Sequence, residues 1–109
     1  MRDMLEAACE VVEFTQGRTW DDYRDSKQLR RSVERSIEII GEAARRVTRA
    51  TQSKHPQIPW DRVIPTRHRL AHEYDSLDDS IVWSIATKHV PPLIQSLKAI
   101  LPPDPVDPG

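Results

Sequence analysis

The sequence predicts an all-α fold, an up-and-down bundle of about four to five helices joined by short connections. Three observations carry this expectation. Apolar residues recur every three or four positions along most of the chain, the spacing of one helix face. Gly17, the Pro56/Pro59 pair and the polar run Asp75 to Asp79 cut that pattern into helix-sized pieces. No segment reads as a strand, and no internal repeat is present.

Residues 2–16 read as the first helix. Leu5, Ala8 and Val12, with Cys9 and Val11 beside them, recur at helical spacing, and Glu6, Glu10 and Glu13 fall between them. Gly17 suits the helix end, because glycine enters the left-handed region without steric penalty. Thr19 followed by Asp21 and Asp22 signals a fresh helix start. Trp20 and Tyr23 are expected to fasten this connecting segment onto the core.

The next helix is the longest. Leu29, Val33, Ile37, Ile40, Ala44 and Val47 advance by 4, 4, 3, 4 and 3 positions and trace one apolar stripe, with Ser26 as N-cap. The opposite face carries Arg30, Arg31, Arg35, Arg45, Arg46 and Arg49. Gly41 sits mid-helix at a penalty of about 1 kcal/mol relative to Ala, which points to close approach of another helix. Pro56 and Pro59 then oppose a continuing helix. A third core helix is expected from Trp60 or Asp61 to about Tyr74, with a kink or restart at Pro65. After the polar connection, a last helix runs from about Ser80, with Ile81, Val82, Ile85, Ala86, Leu93, Leu97 and Ile100 on one side. Pro91 and Pro92 should bend or split it. The expectation is one helical domain over residues 1–101 and a disordered tail over 102–109, where four prolines and two aspartates have nothing to bury.

Composition narrows the class. With 38% hydrophobic and 30% charged residues, the chain suits amphipathic helices and has a thin core for a monomer, which favours a dimer. The single cysteine, Cys9, excludes an internal disulfide, fits a reducing compartment and is expected to be buried as a small hydrophobe. No apolar stretch approaches the roughly 20 residues that span a bilayer. Met1 to Glu6 carries charges of both signs instead of a basic start and apolar core, so no membrane is expected and the cytoplasm is the expected location. The net charge of −1 conceals an uneven distribution. Residues 1–26 sum to −4, residues 27–54 to +5, residues 55–74 to +1 and residues 75–109 to −3. A basic middle segment thus leads into an Arg/His cluster, and it reads either as a positive patch or as a solvated helix face.

That cluster is Arg67-His68-Arg69-Leu70-Ala71-His72-Glu73-Tyr74. His68 and His72 lie one turn apart on one helix face, as do Arg69 and His72. Arg67 and His72 are offset by about 140° on an ideal helix. Bringing them to one atom therefore takes a local break, a long flexible arginine or a second protomer. The residue types suit phosphodiester cleavage in RNA. A near-neutral histidine takes a proton from a 2′-hydroxyl or gives one to the leaving oxygen, and an arginine holds the phosphate oxygens as charge grows. RNA supplies its own nucleophile, so neither metal nor cofactor is expected. His68 and His72 have a zinc-compatible spacing, but Glu73 points elsewhere and Cys9 is distant in sequence. The three glycines form no phosphate loop. On residue types alone, the octet reads either as an RNA-handling site or as an ordinary, partly exposed helix face.

The octet resembles the Arg-x4-His-x-Tyr motif of HepT-like toxins in the HEPN superfamily. Ile39-Ile40-Gly41-Glu42-Ala43-Ala44 is similar to that family's long-helix segment, and His55-Pro56-Gln57-Ile58-Pro59-Trp60 to its pre-motif loop. Ile81-Val82-Trp83 and Pro91-Pro92-Leu93 resemble its last helix. The landmarks fall in family order across roughly residues 2–101. The resemblance implies a HEPN-like bundle that dimerises so that two motifs face one cleft, which answers the angular offset. It implies a catalytic pair at Arg67 and His72, an RNA substrate, and a partner nucleotidyltransferase antitoxin of the MNT type. Tyr74 would be that partner's target for modification with AMP. The family commonly has a polar residue, often Asn, where this chain has His68, so His68 and Arg69 stand as accessory candidates. Glu42 is placed either to orient the arginine across the helix pair or to form a structural salt bridge.

The leading expectation is therefore a metal-independent endoribonuclease toxin of a type II-like or VII-like toxin–antitoxin system, acting as a homodimer. The rival is a non-catalytic helical dimer that binds a nucleotidyltransferase, or a nucleotide-binding module. Retention of Arg67, His72 and Tyr74 favours the enzyme, and the modest net charge favours the rival.

Overall fold

The structure is a computed structural model that describes residues 1–65 and 79–101. The octet Arg67–Tyr74, the expected run of the third helix to Tyr74, most of the Asp75–Asp79 connection and the Pro-rich tail lie outside the described residues. The described residues are helical with short connections and contain no strand, as the apolar spacing predicts.

Helix α1 (Arg2–Thr15) buries Met4, Ala7, Ala8 and Val11, one stripe at helical spacing. Gln16 caps it in an extended conformation, and Gly17 follows at φ +73°, the one positive-φ residue among those described. A Cβ at Gly17 would meet nothing within 4 Å, so the glycine serves the backbone turn and relieves no crowding. Thr19 then opens α2 (Trp20–Asp25) with a capping box. The Thr19 hydroxyl accepts from the Asp22 amide at 3.2 Å, and the Asp22 carboxylate accepts from the Thr19 amide at 3.0 Å. Tyr23 is fully buried, with its ring centroid 6.1 Å from Trp20 and 5.1 Å from Trp83. The connecting segment is fastened as expected.

Helix α3 (Lys27–Arg45) begins at Ser26, whose hydroxyl accepts from the Leu29 amide at 3.1 Å. It buries Val33, Ile37, Ile40, Gly41, Ala43 and Ala44, and this face packs against α1. Each fully buried Val or Ile contributes about 1.5–3 kcal/mol relative to leaving it exposed. Ser36, also buried, donates to the Glu10 carboxylate of α1 at 3.3 Å and so satisfies its hydroxyl across the helix pair. Leu29 and Val47, the two ends of the expected stripe, are only half-buried.

The long helix stops earlier than its periodicity suggests. Thr48 caps a separate α4 (Arg49–Lys54) by accepting from the Thr51 amide at 3.2 Å, and Gln52 Nε2 donates to the Val47 carbonyl at 2.9 Å. Helix α4 buries nothing, so no apolar period announces it. The Pro56–Pro59 loop tucks Ile58 into the core, and helix α5 occupies residues 60–65.

The final helical stretch begins with α6 (Asp79–Ser84), widens into a π-helical segment (Ile85–His89) and continues as α7 (Val90–Ile100). Pro91 and Pro92 fall in the first turn of α7, where their missing amides are tolerated. The expected bend or split is thus a change of helical register, in which the Val90 amide reaches back to the Ile85 carbonyl. Val82, Ala86, Val90, Leu93, Ile94 and Leu97 face the core, and α7 lies against α1. Two expectations need correction. Ile81 is 43% exposed, because the short α6 turns the next residue, Val82, inward. Cys9 is half-buried at the edge of the core, since the neighbouring Ala8 takes the fully enclosed position on α1. No helix among the described residues is long and apolar enough to cross a membrane.

Candidate active site

Both flanks of the octet-bearing segment are anchored. On the N-terminal side Trp60 is buried, and its indole Nε1 donates to the His55 carbonyl at 3.0 Å. The Val63 amide donates to the Pro59 carbonyl at 3.0 Å, so α5 is held from its first turn. Its described residues reach Pro65, two residues before Arg67 in the sequence. On the C-terminal side Asp79 opens α6, and its carboxylate lies 3.7 Å from Arg30 Nε of α3. Arg67, His68, Arg69, His72 and Tyr74 fall between these anchors and lie outside the described residues.

Around Asp79 the electrostatics are unusual. The Tyr23 hydroxyl is buried without a hydrogen-bond partner among the described residues. Burial pushes its pKa well above the ordinary phenol range; Glu34 and Asp79 add to the rise, and Arg30 opposes it. The Glu34 carboxyl is likewise raised, first by burial and then by Asp79, against the pull of Arg30 and Arg31. Helices α2, α3 and α6 thus meet in a partly dry cluster holding two acids, a tyrosine and an arginine.

Glu42 is the one sequence-predicted site residue within the described set. Its carboxylate pairs with Arg46 Nη2, one turn along α3, at 3.1 Å. It lines a cleft of about 260 Å³ between α1 and α3, together with Asp3, Glu6 and Glu10. The arginine face of α3 is partly consumed by ion pairs. Arg30 faces Asp79, Arg35 lies 3.5 Å from Glu38, and Arg46 holds Glu42. Arg31 and Arg45 remain exposed on α3, and Arg49 is exposed at the start of α4.

A larger cavity, of about 650 Å³, opens between α3, α5 and the junction of the π segment with α7. Its apolar walls include Ile37, Ile40 and Leu93, and its polar groups include Gln57, Asp61, Arg62, His89 and Ser96. Sequence reasoning did not single out His89, Gln57 or Asp61. The available signal was His89 standing just ahead of the Pro91–Pro92 pair in an otherwise helical pattern, where a register change re-aims side chains.

Comparison with known proteins agrees with the landmarks. The family model described as "Ribonuclease HepT-like" matches residues 4–100. A Methanocaldococcus jannaschii protein named as a predicted RNase is 33% identical over 98 residues, covering 90% of each chain. A similarly named Caldanaerobacter subterraneus protein is 34% identical over 94 residues, covering 85% of this chain and 84% of that one. A Thermococcus cleftensis protein named probable ribonuclease HepT is 31% identical over 93 residues, covering 85% of this chain and 84% of its own. No solved structure matches the chain. With the family match spanning nearly all of α1 through α7, the chain belongs to the HepT-like ribonuclease family.

Proposed function

We propose that the chain is a metal-independent endoribonuclease toxin that works in the cytoplasm as a homodimer, with Arg67 and His72 of both copies facing one cleft. The observation that carries this reading is the retention of Arg67, His72 and Tyr74 at motif spacing within a chain matched to the family from residue 4 to 100. The angular offset of Arg67 and His72 on one helix favours a composite site over a single-chain one.

In the proposed reaction the 2′-hydroxyl oxygen attacks the adjacent phosphorus and the bond to the 5′-oxygen breaks. The products are a 2′,3′-cyclic phosphate and a 5′-hydroxyl end. One neutral His72 takes the 2′-hydroxyl proton, and the protonated His72 of the other copy supplies a proton to the leaving oxygen. Arg67 holds the phosphate oxygens through its forked donors as negative charge grows. His68 and Arg69 add donors to the cleft, and the exposed Arg31, Arg45 and Arg49 attract the strand.

Control is assigned to an MNT-type nucleotidyltransferase antitoxin. The Tyr74 phenolic oxygen attacks the α-phosphorus of ATP on that partner, pyrophosphate leaves, and Tyr74 carries AMP beside the catalytic pair. The added phosphate brings negative charge to the place where the RNA phosphate must bind, so cleavage stops by repulsion and occlusion. A second reading, a non-catalytic partner-binding dimer, is favoured by one observation: the cleft of Asp3, Glu6, Glu10 and Glu42, which also holds Arg46 paired with Glu42, is acidic on balance, and so repels RNA and suits a protein surface.

The test is cleavage of single-stranded RNA by purified protein in the presence of a metal chelator. The reading expects wild type to cut and His72→Ala and Arg67→Ala to lose the activity. Intact RNA with wild type, or equal cleavage by wild type and His72→Ala, overturns it.

A further inference from the structure

The cavity between α3, α5 and the π–α7 junction has no role in the chemistry assigned to Arg67 and His72. We infer that it is a subsite for one nucleotide of the RNA strand beside the scissile phosphate, reading that nucleotide's base. This rests on the ribonuclease reading above.

Size, lining and position argue for that occupant. At about 650 Å³ the cavity falls within the range of small-molecule sites, about 300–1,000 Å³, and has room for a base with its sugar. Val63, Ile85 and Pro92, half-buried or exposed, present aliphatic surface to the flat faces of a base over the buried Ile37, Ile40 and Leu93. The polar groups carry both donors and acceptors: Gln57 offers each, Asp61 accepts, and Ser96 does either. A base edge displays the same mixture, and unpaired bases in RNA are read along it. A lipid chain would leave these groups unpaired. An anion alone would have no use for the aliphatic walls.

Position supplies the third argument. Asp61, Val63 and Pro65 of α5 line the cavity, and Pro65 is two residues from Arg67. Two residues of chain, at most about 7 Å, separate Pro65 from Arg67, which favours a base beside an Arg67-held phosphate as the occupant. His89, placed at the end of the π-helical segment, lines the cavity as well. The π register follows from Pro91 and Pro92, so this wall is shaped by the same feature that interrupts the helix. The subsite acts on a strand already held elsewhere and sets where it is cut.

The test compares cut sites on single-stranded RNA of mixed sequence for wild type, Ser96→Phe and Gln57→Ala. Ser96→Phe fills the cavity from a half-buried position on α7, and Gln57→Ala removes an edge-reading group from an exposed loop position. The expected result is a base preference beside the cut in wild type. Ser96→Phe should lose it and raise KM up to about tenfold, the scale of one net hydrogen bond lost. Gln57→Ala, which leaves the core untouched, should change which base is preferred, and it decides the matter if Ser96→Phe does not fold. Cutting without preference in wild type, or an unchanged preference in the folded variants, overturns the inference. So does a Ser96→Phe chain that changes oligomeric state with its preference intact, since the cavity then seats a second copy. If wild type leaves RNA intact, the ribonuclease reading fails by itself. The cavity is then judged by amide NMR shifts with AMP, GMP, CMP and UMP. Shifts at cavity residues in wild type but not in Ser96→Phe keep it as a site for free nucleotides, and their absence overturns it.

Discussion

Tyr23 of α2 sets its ring 5.1 Å from that of Trp83 on α6, tilted by 38°, while its hydroxyl stays buried without a partner among the described residues. The ring and the hydroxyl pull stability in opposite directions. The ring joins α2 to α6 through apolar contact and an aromatic pair, whereas an unsatisfied buried hydroxyl costs about 1–3 kcal/mol. Tyr23→Phe keeps the ring and removes the orphan group. It is expected to leave the protein as stable or about 1 kcal/mol more stable, read as an unchanged or raised Tm. Tyr23→Ala should lose about 3–5 kcal/mol through the cavity it leaves.

Glu34 gives stability a pH signature. Its carboxyl is raised in the folded state, chiefly by burial and also by Asp79. The folded protein therefore binds that proton more tightly than the unfolded chain does. This contribution is fully present below the ordinary carboxylate range and is lost as pH rises through the raised folded value. Glu34→Gln removes the penalty of holding a charge there, so it should raise Tm at neutral pH. The gain should shrink as pH falls into the carboxylate range, and a pH series of thermal melts on both proteins checks the sign.

The local features were legible because their causes are local. Thr19, Ser26 and Gly17 act on residues within three or four positions, and each does in the structure what its chemistry suggests. The Glu42–Arg46 pair follows from a spacing of four on one helix. Helix α4 was illegible because it buries nothing, and the π register because it depends on how two prolines are fitted into a continuing helix. Of the candidate site, the octet is written plainly as a motif at Arg67 to Tyr74. The cavity was hidden, because Ile37, Gln57, Asp61 and His89 lie far apart in sequence and meet only through packing.

The two connections before α3 separate a capping effect from a conformational one. Ser26→Ala removes the acceptor for the Leu29 amide at the head of the longest helix and should cost about 1 kcal/mol. Gly17→Ala meets no steric obstacle, yet forces a side chain into a left-handed conformation at φ +73°. A loss of about 1–2 kcal/mol is expected from the backbone alone. Denaturant unfolding should show both losses as a lower midpoint with an unchanged slope.

Tyr74 separates catalysis from its control. In the proposed scheme His72 moves protons, so His72→Ala should lower RNA cleavage about 10²–10⁴-fold. Arg67→Lys keeps the charge but loses the forked donors, and should recover only part of the activity that Arg67→Ala loses. Tyr74→Phe retains the ring while deleting the oxygen that accepts AMP. It should cut RNA as wild type does when purified alone, and keep cutting after incubation with the nucleotidyltransferase and ATP, which silence wild type. Intact-mass measurement should find the AMP adduct on wild type and none on Tyr74→Phe. An adduct that persists on Tyr74→Phe moves the regulatory site to another residue, and an unmodified wild type removes AMP transfer from the scheme while leaving the His72 result to stand or fall separately.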